Sequence, residues 1–98
     1  MNMSKKDEAL MNMAEAMIRS GQPDRAEKAV RSIEDAFARD HGLMCISSDI
    51  ALVAARMGNG REARRLMKTA QRIAQSIDTS FVRDEALANV EAARIAAG

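Results

Sequence analysis

The side chains best suited to catalysis or metal binding are few. His41 is the only histidine and Cys45 the only cysteine, and a spacing of four residues places them on one face of a helix. Nucleophilic catalysis also needs an orienting group and an oxyanion site, and a metal needs further ligands, which the neighbouring sequence does not suggest. We therefore expect no catalytic residue, metal site or cofactor. His41 suits a surface or inter-hairpin role, and Cys45 suits a small buried apolar one.

A second candidate for chemistry is a run of cations at spacings of three and four residues, with Glu62 as the one acid close by in sequence. These side chains are Arg61, Arg64, Arg65, Lys68 and Arg72. They share one face of a predicted helix and could contact phosphates, and thus nucleic acid, or an acidic ribonucleoprotein or protein surface. A solvated helix face is the alternative, because no aromatic residue lies among them to stack on bases.

Composition gives little further support to a nucleic-acid partner. The chain of 98 residues has 15 Lys or Arg and 14 Asp or Glu, a formal net charge of +1. Its length predicts one domain. No uninterrupted apolar run approaches the roughly 18 residues that a membrane span requires. We expect a cytoplasmic protein that does not contact membranes.

Internal repetition is the strongest signal in the sequence. Residues 32–43 read SIEDAFARDHGL and residues 76–87 read SIDTSFVRDEAL, so six identities recur at a spacing of 44. A partial third copy, KDEAL, occupies residues 6–10. Repetition at this period predicts stacked helical units that bury their apolar faces against one another.

The repeated Arg-Asp pairs, Arg39–Asp40 and Arg83–Asp84, have a structural explanation in this array. Each aspartate is predicted to cap the start of a helix, and each arginine to bridge to the adjoining helix.

Apolar periodicity predicts an all-α fold of about five helices arranged as antiparallel hairpins, with no strand. The predicted helices cover residues 5–20, 23–38, 40–57, 61–78 and 82–97, with Met13, Phe37 and Met57 among the inward residues. The single domain, 1–98, then consists of a flexible N-terminus (1–4), a first helix pair (5–38), a second pair (39–81) and a C-terminal capping helix (82–98).

Two sets of large, small and turn-glycine positions fall at similar spacings. The first set is Leu10, Met13, Ala14, Met17, Gly21, Ala26 and Val30, and the second is Ile50, Ala51, Ala54, Gly58, Ala63, Met67 and Ala70. In this respect the chain resembles the tetratricopeptide-like helical repeats. The resemblance implies a short right-handed α-solenoid or a compact bundle. It also implies a non-enzymatic protein-protein interaction module, either an adaptor or a small regulator or inhibitor that acts by surface binding.

The same resemblance implies a partner-binding groove lined by the first helix of each pair. The corresponding positions here are Met11, Glu15, Ile18, Arg19, Ser48, Leu52 and Arg56. The alternative is that the apolar members of this set widen the core of a compact bundle.

The fifth predicted helix has no partner helix to complete its repeat. Four of its apolar residues, Ala88, Ala92, Ile95 and Ala96, lie outside its main apolar stripe. A helix with two apolar faces predicts contacts on both sides. We therefore expect this helix to mediate self-association into a homodimer or to dock onto a larger protein.

Overall fold

The computed structural model describes residues 3–98 and consists of five α-helices. Their bounds are α1 Lys5–Arg19, α2 Pro23–Arg31, α3 Ala36–Met57, α4 Arg61–Gln75 and α5 Ser80–Ala97. The all-α prediction is confirmed, and residues 3–98 contain no strand. None of these five helices combines the length and the apolar character that crossing a membrane requires. Residues 1 and 2 of the expected flexible N-terminus lie outside the described range, while Ser4 caps α1.

The first hairpin turns at a glycine because the backbone there is left-handed. Gly21 has a φ of +80°, and the N–H of Gln22 donates to the Met17 carbonyl oxygen over 2.7 Å. The N–H of Gly21 donates to the Ile18 carbonyl oxygen. These two hydrogen bonds together form the Schellman motif, which is typical of a helix that ends at a glycine. Pro23 then starts α2, where the missing N–H of proline costs no helical hydrogen bond.

The helices form two layers. Helices α1, α3 and α5 lie in one layer and α2 and α4 in the other, and α3 contacts each of the other four helices. The largest side chains with almost no exposure are nearly all β-branched and come from both layers; they include Val30, Ile46, Ile50, Ile73 and Val90. Many alanines are also buried, which lets the helices approach closely.

The junction between the two hairpins corrects the predicted helix bounds. Helix α2 ends at Arg31, not at 38, and α3 begins at Ala36 with Asp35 as its N-cap, whose side chain accepts from the N–H of Ala38 over 2.8 Å. Between them, Ile33 is only 1% exposed. The chain leaves the helix to bury this residue. The second junction has the corresponding bounds 44 residues later: α4 ends at Gln75, not at 78, and α5 begins at Ser80 with Thr79 as its N-cap, although the Thr79 side chain makes no cap hydrogen bond.

The repeated Arg-Asp pairs are structural, but the aspartates are not helix caps. Asp40 lies inside α3, is 5% exposed, and accepts hydrogen bonds through Oδ2 from the Thr79 hydroxyl (2.6 Å) and N–H (3.2 Å). It therefore joins α3 to the start of α5. Asp84, its counterpart in the repeat, is exposed within α5. The arginines do not reach the adjoining helix but bridge to the linker before their own helix: Arg39 donates to the Ile33 carbonyl oxygen and Arg83 to that of Ile77.

Three apolar side chains predicted to face inward are exposed. Met13 is 48% exposed because the side of α1 away from α2 and α3 has no neighbour among the described helices. Phe37 (43%) belongs to the first turn of α3, not to α2, and Met57 (49%) is the last residue of α3.

A carboxylate on α2 connects the two hairpins. Glu27 accepts two hydrogen bonds from Arg72 of α4, at 2.7 and 3.0 Å, and one from Arg31 of its own helix at 2.9 Å. The Glu27 side chain is only 14% exposed, so solvent screens these ion pairs less than it would at the surface. The hydrogen bonds from Arg72, ahead of the opposing effect of burial, lower the pKa of Glu27.

We expect Glu27→Gln to lower the free energy of unfolding by about 1 kcal/mol at pH 7, because the amide keeps the shape but loses the charge. A lowered pKa means that the carboxylate stabilises the fold above its ordinary value of 4.5 and that this contribution disappears as the pH falls through the lowered pKa. The stability difference measured by urea denaturation should therefore shrink below pH 4.5. Glu34→Gln is the matched control, since Glu34 pairs with Lys6 on the exposed surface and its substitution should change stability little.

Candidate binding site

Helices α1 and α3 lie side by side and parallel, and the surface between them has two separate cavities. Residues in the first half of both helices, such as Met11 and His41, line one cavity, and residues near both ends, such as Arg19 and Arg56, line the second. The fifteen residues of α1, at 1.5 Å per residue, extend over about 22 Å. We call the surface along this length, with its two cavities, the α1–α3 groove.

The starting end of the α1–α3 groove opens into a cavity of about 500 Å³, which we call the N-terminal cavity. Met3 and Met11 form one wall, and Phe37 and Ala38 form the other. The Phe37 ring packs at a tilt against the His41 ring, with 4.6 Å between ring centroids. A cavity with mostly apolar walls is suited to an apolar group of a ligand.

Two carboxylates also line the N-terminal cavity. Asp7 belongs to the first turn of α1, and its own N–H donates to the N-cap hydroxyl of Ser4 over 3.1 Å. Asp35 is the N-cap of α3. Within residues 3–98, no group of three or more His, Cys, Asp or Glu side chains could hold a metal ion. The two carboxylates therefore give the cavity negative charge without forming a metal centre in that range.

Cys45 also lines the N-terminal cavity and is exposed, so the prediction of a buried cysteine is wrong. It lies one helical turn after His41 on the side of α3 that faces the groove, whereas Leu43, Ile46 and Ile50 face the core. Partial shielding from water, followed by the charges of Asp49 and Glu15, raises the pKa of the thiol. Cys45 is therefore a thiol at neutral pH and not a thiolate nucleophile.

The other end of the groove is charged. Glu15 and Arg19 of α1 lie across from Asp49, Leu52 and Arg56 of α3, around a shallow cavity of about 230 Å³. Partial burial and the nearby Glu15 raise the pKa of Asp49, and Arg19 opposes them. Leu52 is 47% exposed and is the apolar group that this end offers to a partner.

The structure places the seven predicted groove residues in three environments. Glu15, Arg19, Leu52 and Arg56 line the charged end together, as one surface. Met11 and Ile18, however, are 9% and 7% exposed and pack into the core, so each presents only an edge to a cavity, Met11 to the N-terminal cavity and Ile18 to the charged end. They point toward α2 and α3 because α1 has neighbours on that side. Ser48 accepts a hydrogen bond from Asn89 and so faces α5.

The predicted basic face of α4 carries less free charge than its sequence indicates. Arg65 forms an ion pair with Glu62, Arg72 pairs with Glu27, and Arg64 donates to the Asn59 carbonyl oxygen. Acids of α2, which are distant in sequence, lie beside this face. The hydrogen bond to Glu62 raises the pKa of Arg65, and the hydrogen bond to Glu27 raises that of Arg72. The charge of Asp24 makes a smaller contribution to both. Arg61 and Lys68 have no hydrogen bond or ion pair within residues 3–98.

The predicted self-association surface is exposed along α5. Ala88, Ala92, Ile95 and Ala96 all reach solvent, with Ile95 at 65%, and Phe81 near the start of the same helix is 64% exposed. The surface is thus accessible, and self-association through it stays a prediction.

Sequence reasoning missed the two carboxylates as members of a site. The repeat could have predicted this pairing, because Asp7 in KDEAL corresponds to Asp40 in RDHGL, and Asp35 corresponds to Thr79. The pair that closes the α3–α5 contact therefore has a counterpart between α1 and α3.

No protein-family model, curated protein or solved structure matches the chain. The resemblance to tetratricopeptide-like repeats accordingly stays a prediction, and function has to be argued from the groove.

Proposed function

We propose that the protein is a non-enzymatic interaction module that binds a segment of another protein in the α1–α3 groove. The observation that carries this proposal is the N-terminal cavity, an open space of about 500 Å³ with apolar walls at one end of the groove. Such a cavity can accept an anchoring side chain, while a groove of about 22 Å has room for several further residues of the bound segment.

The chemistry of the groove favours binding over catalysis. The Cys45 thiol has a raised pKa, and His41 packs against the Phe37 ring instead of donating a hydrogen bond to an orienting carboxylate within residues 3–98. At the other end of the groove, Leu52 would add a second apolar contact. The charged side chains there would favour partners with complementary charges. Regulation would follow from occupying the partner's surface.

Binding of nucleic acid through α4 is the second candidate, favoured by the charges of Arg61 and Lys68. Ion pairs at Arg65 and Arg72 reduce the positive potential on that face, so the groove has the stronger support.

The proposal can be tested with a library of random 12-residue peptides displayed on phage and selected against the folded protein. We expect selected peptides to lose at least tenfold in affinity for Cys45→Trp, since an indole on the exposed Cys45 position occupies the N-terminal cavity. Ala88→Trp on α5 is the matched control and should bind as the wild type does. Affinities are measured by isothermal calorimetry, and circular dichroism checks both folds.

Two results would contradict the proposal. Unchanged affinity for Cys45→Trp would remove the groove as the binding site. Loss of binding in Ala88→Trp alone would assign recognition to α5.

A further inference from the structure

The Asp7 carboxylate is a buried charge without an internal partner. The residue is 5% exposed, and within residues 3–98 no hydrogen bond or ion pair reaches its side chain. In this range, every side-chain nitrogen or oxygen that is inaccessible to solvent has a hydrogen-bond partner. Because the Asp7 oxygens have no such partner, they must remain accessible to solvent. Asp7 lines the N-terminal cavity, and the cavity is that opening. Burying a charge is costly unless a partner compensates it.

The repeat explains why this partner is missing. In the second unit, the Thr79 hydroxyl donates to Asp40 over 2.6 Å. In the first unit, the position of Thr79 is held by Asp35, whose Oδ2 already accepts from the N–H of Ala38. A carboxylate accepts hydrogen bonds and has none to donate. Asp7 therefore faces a second acceptor where its counterpart faces a donor.

From these observations we infer that the N-terminal cavity binds a basic side chain, arginine or lysine, of the partner protein. Such a side chain has an apolar stem and a cationic head. The stem fits between Met11 and Ala38, and the head supplies the donors and the positive charge that Asp7 and Asp35 lack. The Phe37 ring at the cavity wall adds a surface that attracts cations. This inference rests on the proposed function and specifies the anchor of the bound segment.

The cavity can be tested with a pair of small probes that differ in charge and in one group of the head, a donor in the first and an acceptor in the second. n-Butylguanidinium reproduces the arginine side chain, and n-butylurea has nearly the same shape without the charge. Titration is followed through the methyl signals of Met3 and Met11 in protein labelled with ¹³C at methionine methyl groups. We expect n-butylguanidinium to shift both signals and to bind about tenfold more tightly than n-butylurea.

Asp7→Asn should abolish this preference. The substitution keeps the shape of the side chain, and the N-cap contact is safe because it involves the backbone N–H of residue 7. Asp84→Asn, at the same register on the exposed side of α5, is the control that should retain the preference. Equal binding of the two probes to the wild type, or a preference that survives in Asp7→Asn, would overturn the inference.

The phage selection separates this inference from the proposed function. Cavity-dependent peptides that share an arginine or lysine support both. Cavity-dependent peptides without a basic residue would overturn the basic anchor and leave the groove as a protein-binding site. A preference for n-butylguanidinium with no cavity-dependent peptide would overturn the protein partner, and the inference with it.

Discussion

Asp40→Ala is expected to lower the free energy of unfolding by about 2–3 kcal/mol. The substitution removes the acceptor of two hydrogen bonds and leaves the Thr79 N–H and hydroxyl without a partner at the start of α5. Hydrogen bonds to a charged and largely buried group are worth more than neutral ones at the surface. The same loss frees the start of α5 from α3, so amide hydrogen exchange should accelerate in the first turn of α5.

Asp84→Ala provides the control for this prediction. Asp84 occupies the position of the repeat that corresponds to Asp40, and each of the two aspartates follows an arginine. Asp84 is exposed, and its side chain makes no hydrogen bond within residues 3–98. Its substitution should change stability by less than about 0.5 kcal/mol. The measurement is the urea concentration at the midpoint of unfolding for each variant, compared at an unchanged dependence of the unfolding free energy on urea. If the two variants were equally stable, the Asp40–Thr79 contact would not hold α3 to α5.

The second large effect is expected at Gly42, inside α3. A Cβ there would lie 2.8 Å from Met11 Sδ, 2.8 Å from Val30 Cγ1 and 3.6 Å from Ile33 Cδ1. Carbon atoms in contact prefer about 3.5–4.0 Å, so something must move. The Met11 thioether is flexible, but Val30 is fully buried and stiff at χ1. We expect Gly42→Val to lower the free energy of unfolding by about 2–3 kcal/mol, measured by urea denaturation.

A double-mutant cycle isolates the contact responsible. In the wild type, Gly42→Ala should lower stability by about 1 kcal/mol, because the clash exceeds the gain in helix propensity of about 1 kcal/mol. Val30→Ala removes the stiff methyl groups. In that background, Gly42→Ala should raise stability, since the flexible Met11 thioether can move aside and the propensity gain then exceeds the remaining cost. An unchanged cost in both backgrounds would show that Val30 does not set the approach of α2 to α3.

The number, type and order of the helices could be predicted from periodicity, whereas the junctions could not. Ala26, Val30, Ile33 and Phe37 continue one helical stripe across the point where α2 ends, and no glycine or proline interrupts it. The break is produced by contacts: Asp35 caps α3, Arg39 satisfies the Ile33 carbonyl oxygen, and Ile33 turns into the core. Periodicity records which face is apolar and contains no information on these interactions.

The site was only partly predictable for a related reason. Glu15, Arg19 and Leu52, three of the seven predicted groove residues, lie together at the charged end of the α1–α3 groove, and binding of a partner there stays a prediction. Burial of Met11 and Ile18 depends on how closely α1 approaches its neighbours, which the spacing of residues along one helix does not determine. The free charge on α4 was unpredictable for the same reason, because Glu27 and Asp24, which lie beside its arginines, belong to α2, more than thirty residues away in sequence.

By itself, the sequence determined that the chain is all-α and that it repeats at a spacing of 44. Helix formation depends on residues close together in the chain, and a repeat can be recognised by comparing segments without knowing what they contact. Tertiary structure alone decided what the repeated aspartates contact. Asp40 meets a donor in Thr79, whereas Asp7 shares a cavity with Asp35, and the difference arises from which helix start packs beside each carboxylate. His41 and Cys45, the first candidates for chemistry, became part of the wall of that cavity.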